Sequence, residues 1–74
     1  MSPDKLIYQV NQIAWFFKSK PRAEGVAGVA DHINKFWEPR MRRQFFEMID
    51  AGVEGFEPLV IEAAPNVRPV EPAN

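Results

Sequence analysis

The seven prolines in this 74-residue chain limit where it can be helical more than any other feature does. Proline lacks the amide donor and clashes with the preceding turn, so a helix tolerates it only at its first positions. Pro3, Pro39 and Pro58 read as helix starts, and Pro21 reads as a stop. Pro65, Pro69 and Pro72 crowd the C-terminus. The segments between them repeat their apolar residues at helical spacing, and none alternates with the period of a strand. The pattern predicts an all-α fold. Three main helices span about 3–20, 23–37 and 39–51, a short helix spans about 58–64, and a Pro-rich extended tail follows. Residues 1–64 form one helical domain, and residues 65–74 form a flexible tail.

Each helix carries its own stripe. Ser2 offers a hydroxyl N-cap, and Asp4 in the first turn with Lys18 and Lys20 near the end complement the helix dipole. At about 100° per residue, Leu6, Ile7, Val10, Ile13, Ala14 and Phe17 fall within about one third of the circumference. Val26, Val29, Ala30, Ile33, Phe36 and Trp37 do the same in the second helix. Gly25 and Gly28 weaken its start by about 1 kcal/mol each, so packing must supply the difference. Met41, Phe45, Met48 and Ile49 line the third helix, and Gly52 is placed to close it in a left-handed conformation. Leu59 and Ala63 share one side of the short helix. The predicted core is Leu6, Val10, Ile13, Phe17, Val29, Ile33, Phe36, Phe45, Met48 and Ile49.

A core of this size is thin, because a chain this short buries only about 60% of its unfolded surface. Small domains usually need a staple. There is no cysteine, which excludes a disulfide, a Cys-zinc site, an iron–sulfur cluster and a thiol nucleophile. The single histidine leaves no His-rich metal site. The staple that remains is a partner. No leader pattern or membrane-length apolar run is present, so the predicted location is the cytoplasm, without a membrane partner. Charge is divided along the chain. Residues 1–43 hold eight basic and four acidic side chains, and residues 44–74 hold one and six. Either this is a chance imbalance in a small chain, or it makes a bipolar surface suited to orienting a partner.

Few residues invite chemistry. His32 flanks the second stripe near Phe36, but Asp31 beside it points about 100° away. It reads as a boundary histidine at the edge of a core or an interface. Glu47 and Asp50 share a face and read as solvated. No phosphate loop, metalloprotease motif or nucleophile elbow occurs. No residue is assigned a catalytic, cofactor-binding or metal-binding role. The aromatics say more. Tyr8 and Trp15 share a face of the first helix more than about 120° from its stripe. Either a partner takes them, as it often takes Tyr and Trp, or a neighbouring helix or the tail covers them. Arg40, Arg42 and Arg43 open the third helix, where cations oppose the dipole. Arg43 can pair with Glu47 one turn on, and arginine forks bind carboxylates or phosphates.

The stretch Asp31–Gln44 contains His32 and then Phe36-Trp37-Glu38-Pro39-Arg40-Met41-Arg42. It resembles the signature of the delta subunit of soluble NAD-dependent, molybdenum-containing formate dehydrogenases. Leu6-Ile7, Asn11-Gln12-Ile13-Ala14 and Phe16-Phe17 add to the resemblance, which spans roughly residues 5–64. It implies a non-catalytic accessory subunit that stabilises the complex and assists cofactor loading. The large alpha subunit, which holds molybdenum and iron–sulfur clusters, would be its partner, in a complex with beta and gamma subunits that hold flavin, the NAD site and further clusters. Formate oxidation with NAD reduction would belong to those subunits. The resemblance and the residue reading together nominate Tyr8, Trp15, His32, Trp37, Arg40, Arg42 and Arg43 as partner-binding. The alternative is a small nucleic-acid-binding domain with the Arg40–Arg43 helix as reader. The acidic second half argues against it.

Overall fold

A computed structural model of the chain describes residues 1–70. The architecture is all-α, as predicted: α1 Pro3–Phe17, α2 Arg22–Phe36, α3 Pro39–Asp50 and α4 Pro58–Ala63, with a 3-10 turn at Ala64–Asn66. Ser2 caps α1 by accepting the Lys5 amide at 3.3 Å. The helix stops at Phe17, three residues short of the predicted end. There the chain tightens, with the Lys18 amide donating to Trp15 O and the Lys20 amide to Phe17 O. Pro21 disfavours a helical residue before it. Lys18 and Lys20 therefore lie beyond the helix, and Lys18 instead pairs with Glu57 at 3.5 Å. Pro39 and Pro58 open α3 and α4 as expected. Gly52 (φ 72°) ends α3. Its amide donates to Ile49 O and that of Val53 to Met48 O, the paired bonds of a Schellman cap.

Helix α2 lies between α1 and α4 and packs on both. Its glycines explain how closely. A Cβ at Gly28 would overlap the Phe17 ring, and one at Gly25 would lie 3.1 Å from Phe17 O. The small residues that weaken α2 locally let α1 settle onto its backbone. Leu6, Val10, Val29, Ile33, Phe45 and Val60 are fully buried at the centre. Around them lie Ala14, Ala30, Trp37, Met48, Leu59, Ala63, Ala64 and Val67.

Three expectations about burial change. Phe36 is not core but 70% exposed. It sits on the last turn of α2, and its neighbour is the His32 ring, 4.8 Å away. Ile13, Phe17 and Ile49 are only partly buried at the core's edge. The loose tail expected from Pro65 onward is not what the first of those residues form. Val67 is 2% exposed and lies between two hydrogen bonds to Asn34, so apolar burial and a side-chain clamp hold it. The rest of that expectation, at 71–74, lies outside the described residues.

Candidate partner interface

The string Phe36–Arg43 forms the corner between α2 and α3, and the fold sends its side chains in opposite directions. Trp37 turns inward, 8% exposed, and meets the Phe45 ring edge-on at 5.9 Å. The structure therefore places this nominated partner residue in the core of the free chain. Arg42 also turns toward the chain. One of its terminal nitrogens donates to Arg68 O at 3.0 Å, while Nε is buried without a partner among the described residues. Beside it, Asn34 Nδ2 donates to Asn66 O at 3.2 Å and Oδ1 accepts the Arg68 amide at 2.7 Å. Arg42 and Asn34 thus strap residues 66–68 across the corner.

Arg40 and Arg43 are exposed and take part in none of the ion pairs among the described residues. The Arg43–Glu47 pair that the spacing allowed does not form. These two cations share one face with Glu47 and Asp50. Arg43, Phe46, Glu47 and Asp50 line a shallow groove of about 330 Å³ with Pro69 and Val70.

The other exposed surface lies on α1. Tyr8 is 62% exposed, Trp15 48% and Phe16 70%, so no helix among the described residues covers them. The helical phasing puts Tyr8 and Trp15 on the side of α1 opposite Leu6, Val10 and Ala14, with Phe16 on its flank. Phe16 closes a cleft of about 300 Å³ with Ile13, Phe17 and His32, and its ring meets Phe17 at 5.0 Å. His32, nominated as partner-binding, is a wall of this apolar cleft. The structure thus brings His32 together with Phe16 and Phe36. It does not bring Tyr8 and Trp15 onto that face.

Sequence reasoning missed two polar residues that hold this surface in shape. Asn11 is 9% exposed. Its Nδ2 donates to Gly55 O at 2.8 Å and its Oδ1 accepts the Glu57 amide at 2.9 Å. Asn34 grips residues 66 and 68 in the same way. Each amide supplies one donor and one acceptor, which matches the carbonyl and N–H that flank a single residue of extended chain. The gripped residues are Phe56, packed 5.7 Å from Phe45, and Val67. The available signal was an asparagine inside a helix, at the border of its apolar stripe, where asparagine is otherwise unfavourable. Among the described residues, no group of three or more His, Cys, Asp or Glu is arranged to hold a metal ion. No helix there is long and apolar enough to cross a membrane.

The family described as NADH-dependent formate dehydrogenase delta subunit FdsD matches residues 5–64. That span runs from the first turn of α1 to the start of the 3-10 turn and includes every nominated residue. No curated protein matches the chain.

Proposed function

The chain belongs to the NADH-dependent formate dehydrogenase delta subunit family, and from that premise we propose that it is a non-catalytic accessory subunit. It assembles with the large molybdenum-binding alpha subunit in the cytoplasm, stabilises the complex that also holds the beta and gamma subunits, and assists cofactor loading. The family match along all four helices carries the reading. The chemistry of the donor set supports it. The chain has no cysteine and its one imidazole packs at a tilt against the Phe36 ring, so its residues do not fit an iron–sulfur cluster or a molybdenum site.

The exposed aromatics and the free arginines are the surface such a subunit would use. Tyr8 and Trp15 form one contact. Arg40 and Arg43 form another, meeting carboxylates of the large subunit through their planar forks. The rigid corner around Trp37 leaves those arginines little entropy to lose on binding. The nucleic-acid alternative is weaker. Arg42 is committed to Arg68, and the face left to Arg40 and Arg43 also carries Glu47 and Asp50, so it offers no net positive charge to a phosphate backbone.

The test is removal of this chain from a strain that makes the enzyme. Formate dehydrogenase activity and the molybdenum content of the tagged large subunit should both fall, and re-expression should restore them. Unchanged activity and metal content in its absence would refute the accessory role.

A further inference from the structure

The two clamped segments differ in what else holds them. Residues 55–57 lie between α3 and α4, and the bonds that Asn11 gives them are partly buried. The strap at 66–70 begins at the end of the 3-10 turn and is followed by no helix among the described residues. Three side-chain bonds fix it: Asn34 Nδ2 to Asn66 O, the Arg68 amide to Asn34 Oδ1, and Arg42 to Arg68 O. All three lie at exposed positions, where water offers the same groups a replacement. Within the strap only Val67 is buried. Closure also has a cost, because Arg42 Nε is left buried without an acceptor, and opening returns that donor to water. The strap makes a surface as well. Pro69 and Val70 line the groove of about 330 Å³ together with Arg43, Phe46, Glu47 and Asp50 of α3. Without the strap, those four α3 residues would form an open helix face.

We propose that residues 66–70 are a latch, which opens and closes while the four helices stay folded, and that its closure completes the groove in which Arg43 meets the large subunit. The second half rests on the subunit reading above and adds what regulates that contact. A segment with one buried side chain and solvent-exposed bonds belongs to the low-stability end of a fold, where local opening precedes global unfolding. The groove gives the opening a consequence. Arg43 shares its helix face with Glu47 and Asp50, so net charge there does not favour a carboxylate. Pro69 and Val70 keep water from one side of the site, and a charge-assisted bond is stronger where water is excluded. A carboxylate on Arg43 is therefore held better when the latch is closed, and by linkage its binding favours closure. Asn34 is a positioning residue in this scheme: it acts on Arg43 only through the strap.

The chain has no cysteine, so one introduced thiol reports opening. Val67 and Val29 are both buried. With helicity unchanged, the thiol of Val67→Cys should react with iodoacetamide at least about a hundredfold faster than that of Val29→Cys, which waits for global unfolding. Amide exchange of Arg68 in the parent chain gives the same comparison without a substitution. Equal rates for strap and core by both measures overturn the latch. In the complex purified through the tagged large subunit, labelling of Val67→Cys should slow relative to the free chain. Asn34→Ala should speed that labelling in the free chain by about two- to fivefold. It should also lower retention in the complex, and do so much less when Arg43→Ala is already present. Labelling that is no slower in the complex, or an Asn34→Ala loss that is the same with and without Arg43→Ala, overturns the link to the groove. The subunit reading survives each of these results as long as the parent chain co-purifies. Absence of the parent chain from the complex overturns that reading and the link together, while the comparison of Val67→Cys with Val29→Cys still decides the latch.

Discussion

The two asparagine clamps make the same pair of hydrogen bonds in different surroundings, so they test how solvent sets the worth of a bond. Asn11 is 9% exposed and holds Gly55 O and the Glu57 amide at 2.8 and 2.9 Å. A neutral bond contributes about 0.5–1.5 kcal/mol net, and a buried group left unsatisfied costs about 1–3 kcal/mol. Asn11→Ala should therefore cost about 2–3 kcal/mol. The whole domain has only about 0.05–0.15 kcal/mol per residue, so this is a large share of its stability. With about 4–8 °C lost per kcal/mol in a domain of this size, the midpoint should fall by about 10–20 °C. Asn34 makes bonds of 3.2 and 2.7 Å at an exposed site. Water replaces a lost partner there, so Asn34→Ala should cost about 0.5–1 kcal/mol. Thermal unfolding of the isolated variants, followed by circular dichroism at the helical band, reads both. If Asn11→Ala melts within about 2 °C of the parent, or if the two variants lose equal stability, burial does not set the value of these clamps and the reasoning fails.

Four other outcomes follow from the packing and the surface. Ile33 is fully buried, so Ile33→Ala should cost about 2–5 kcal/mol in urea unfolding. Alanine at both Tyr8 and Trp15 should leave helicity unchanged and reduce co-purification with the large subunit, because neither residue supports the core. Lysine at both Arg40 and Arg43 keeps charge but loses the fork, so it should lower formate dehydrogenase activity and subunit retention in cells. Arg42→Lys should instead lower the melting point of the isolated chain, because its partner is Arg68 O of the same chain.

The periodic and local features of the fold were legible because they follow from residue spacing and backbone chemistry. Three apolar stripes, the prolines at helix starts and the left-handed Gly52 all act within a few residues. Phe36 was misread because helical phase says which side a residue faces, not whether another helix is present at that height. Val67 was misread for the converse reason. A proline-rich composition predicts an unpaired backbone, but one valine buried in the core and one asparagine at the right height pin it. Asn11 is polar at the edge of a stripe, and only the three-dimensional approach of residues 55–57 gives its amide something to hold. The candidate surface divides the same way. The exposure of Tyr8 and Trp15 follows from the phase of one helix, whereas the cleft at His32 needs the register between two.

That difference bears on how the Phe36–Arg43 string should be interpreted. A run of distinctive residues invites assignment to one task, and the corner shows at least two. Trp37 and Arg42 face the chain itself: one fills the core beside Phe45, the other secures the strap at Arg68. Phe36, Arg40 and Arg43 face outward. Glu38 and Pro39 set the turn that separates the groups, with Pro39 at the first position of α3. The inward residues give the outward ones their fixed placement, since a corner that moved would spread the arginines over many positions and weaken any bidentate contact. Loss of assembly in a Trp37 or Arg42 variant would therefore not show that either residue touches a partner. A Trp37 variant should fail in both thermal unfolding and co-purification, whereas an Arg40 or Arg43 variant should fail in co-purification alone. If Arg40 or Arg43 variants also lower the melting point of the isolated chain, the outward group is part of the fold and the division is wrong.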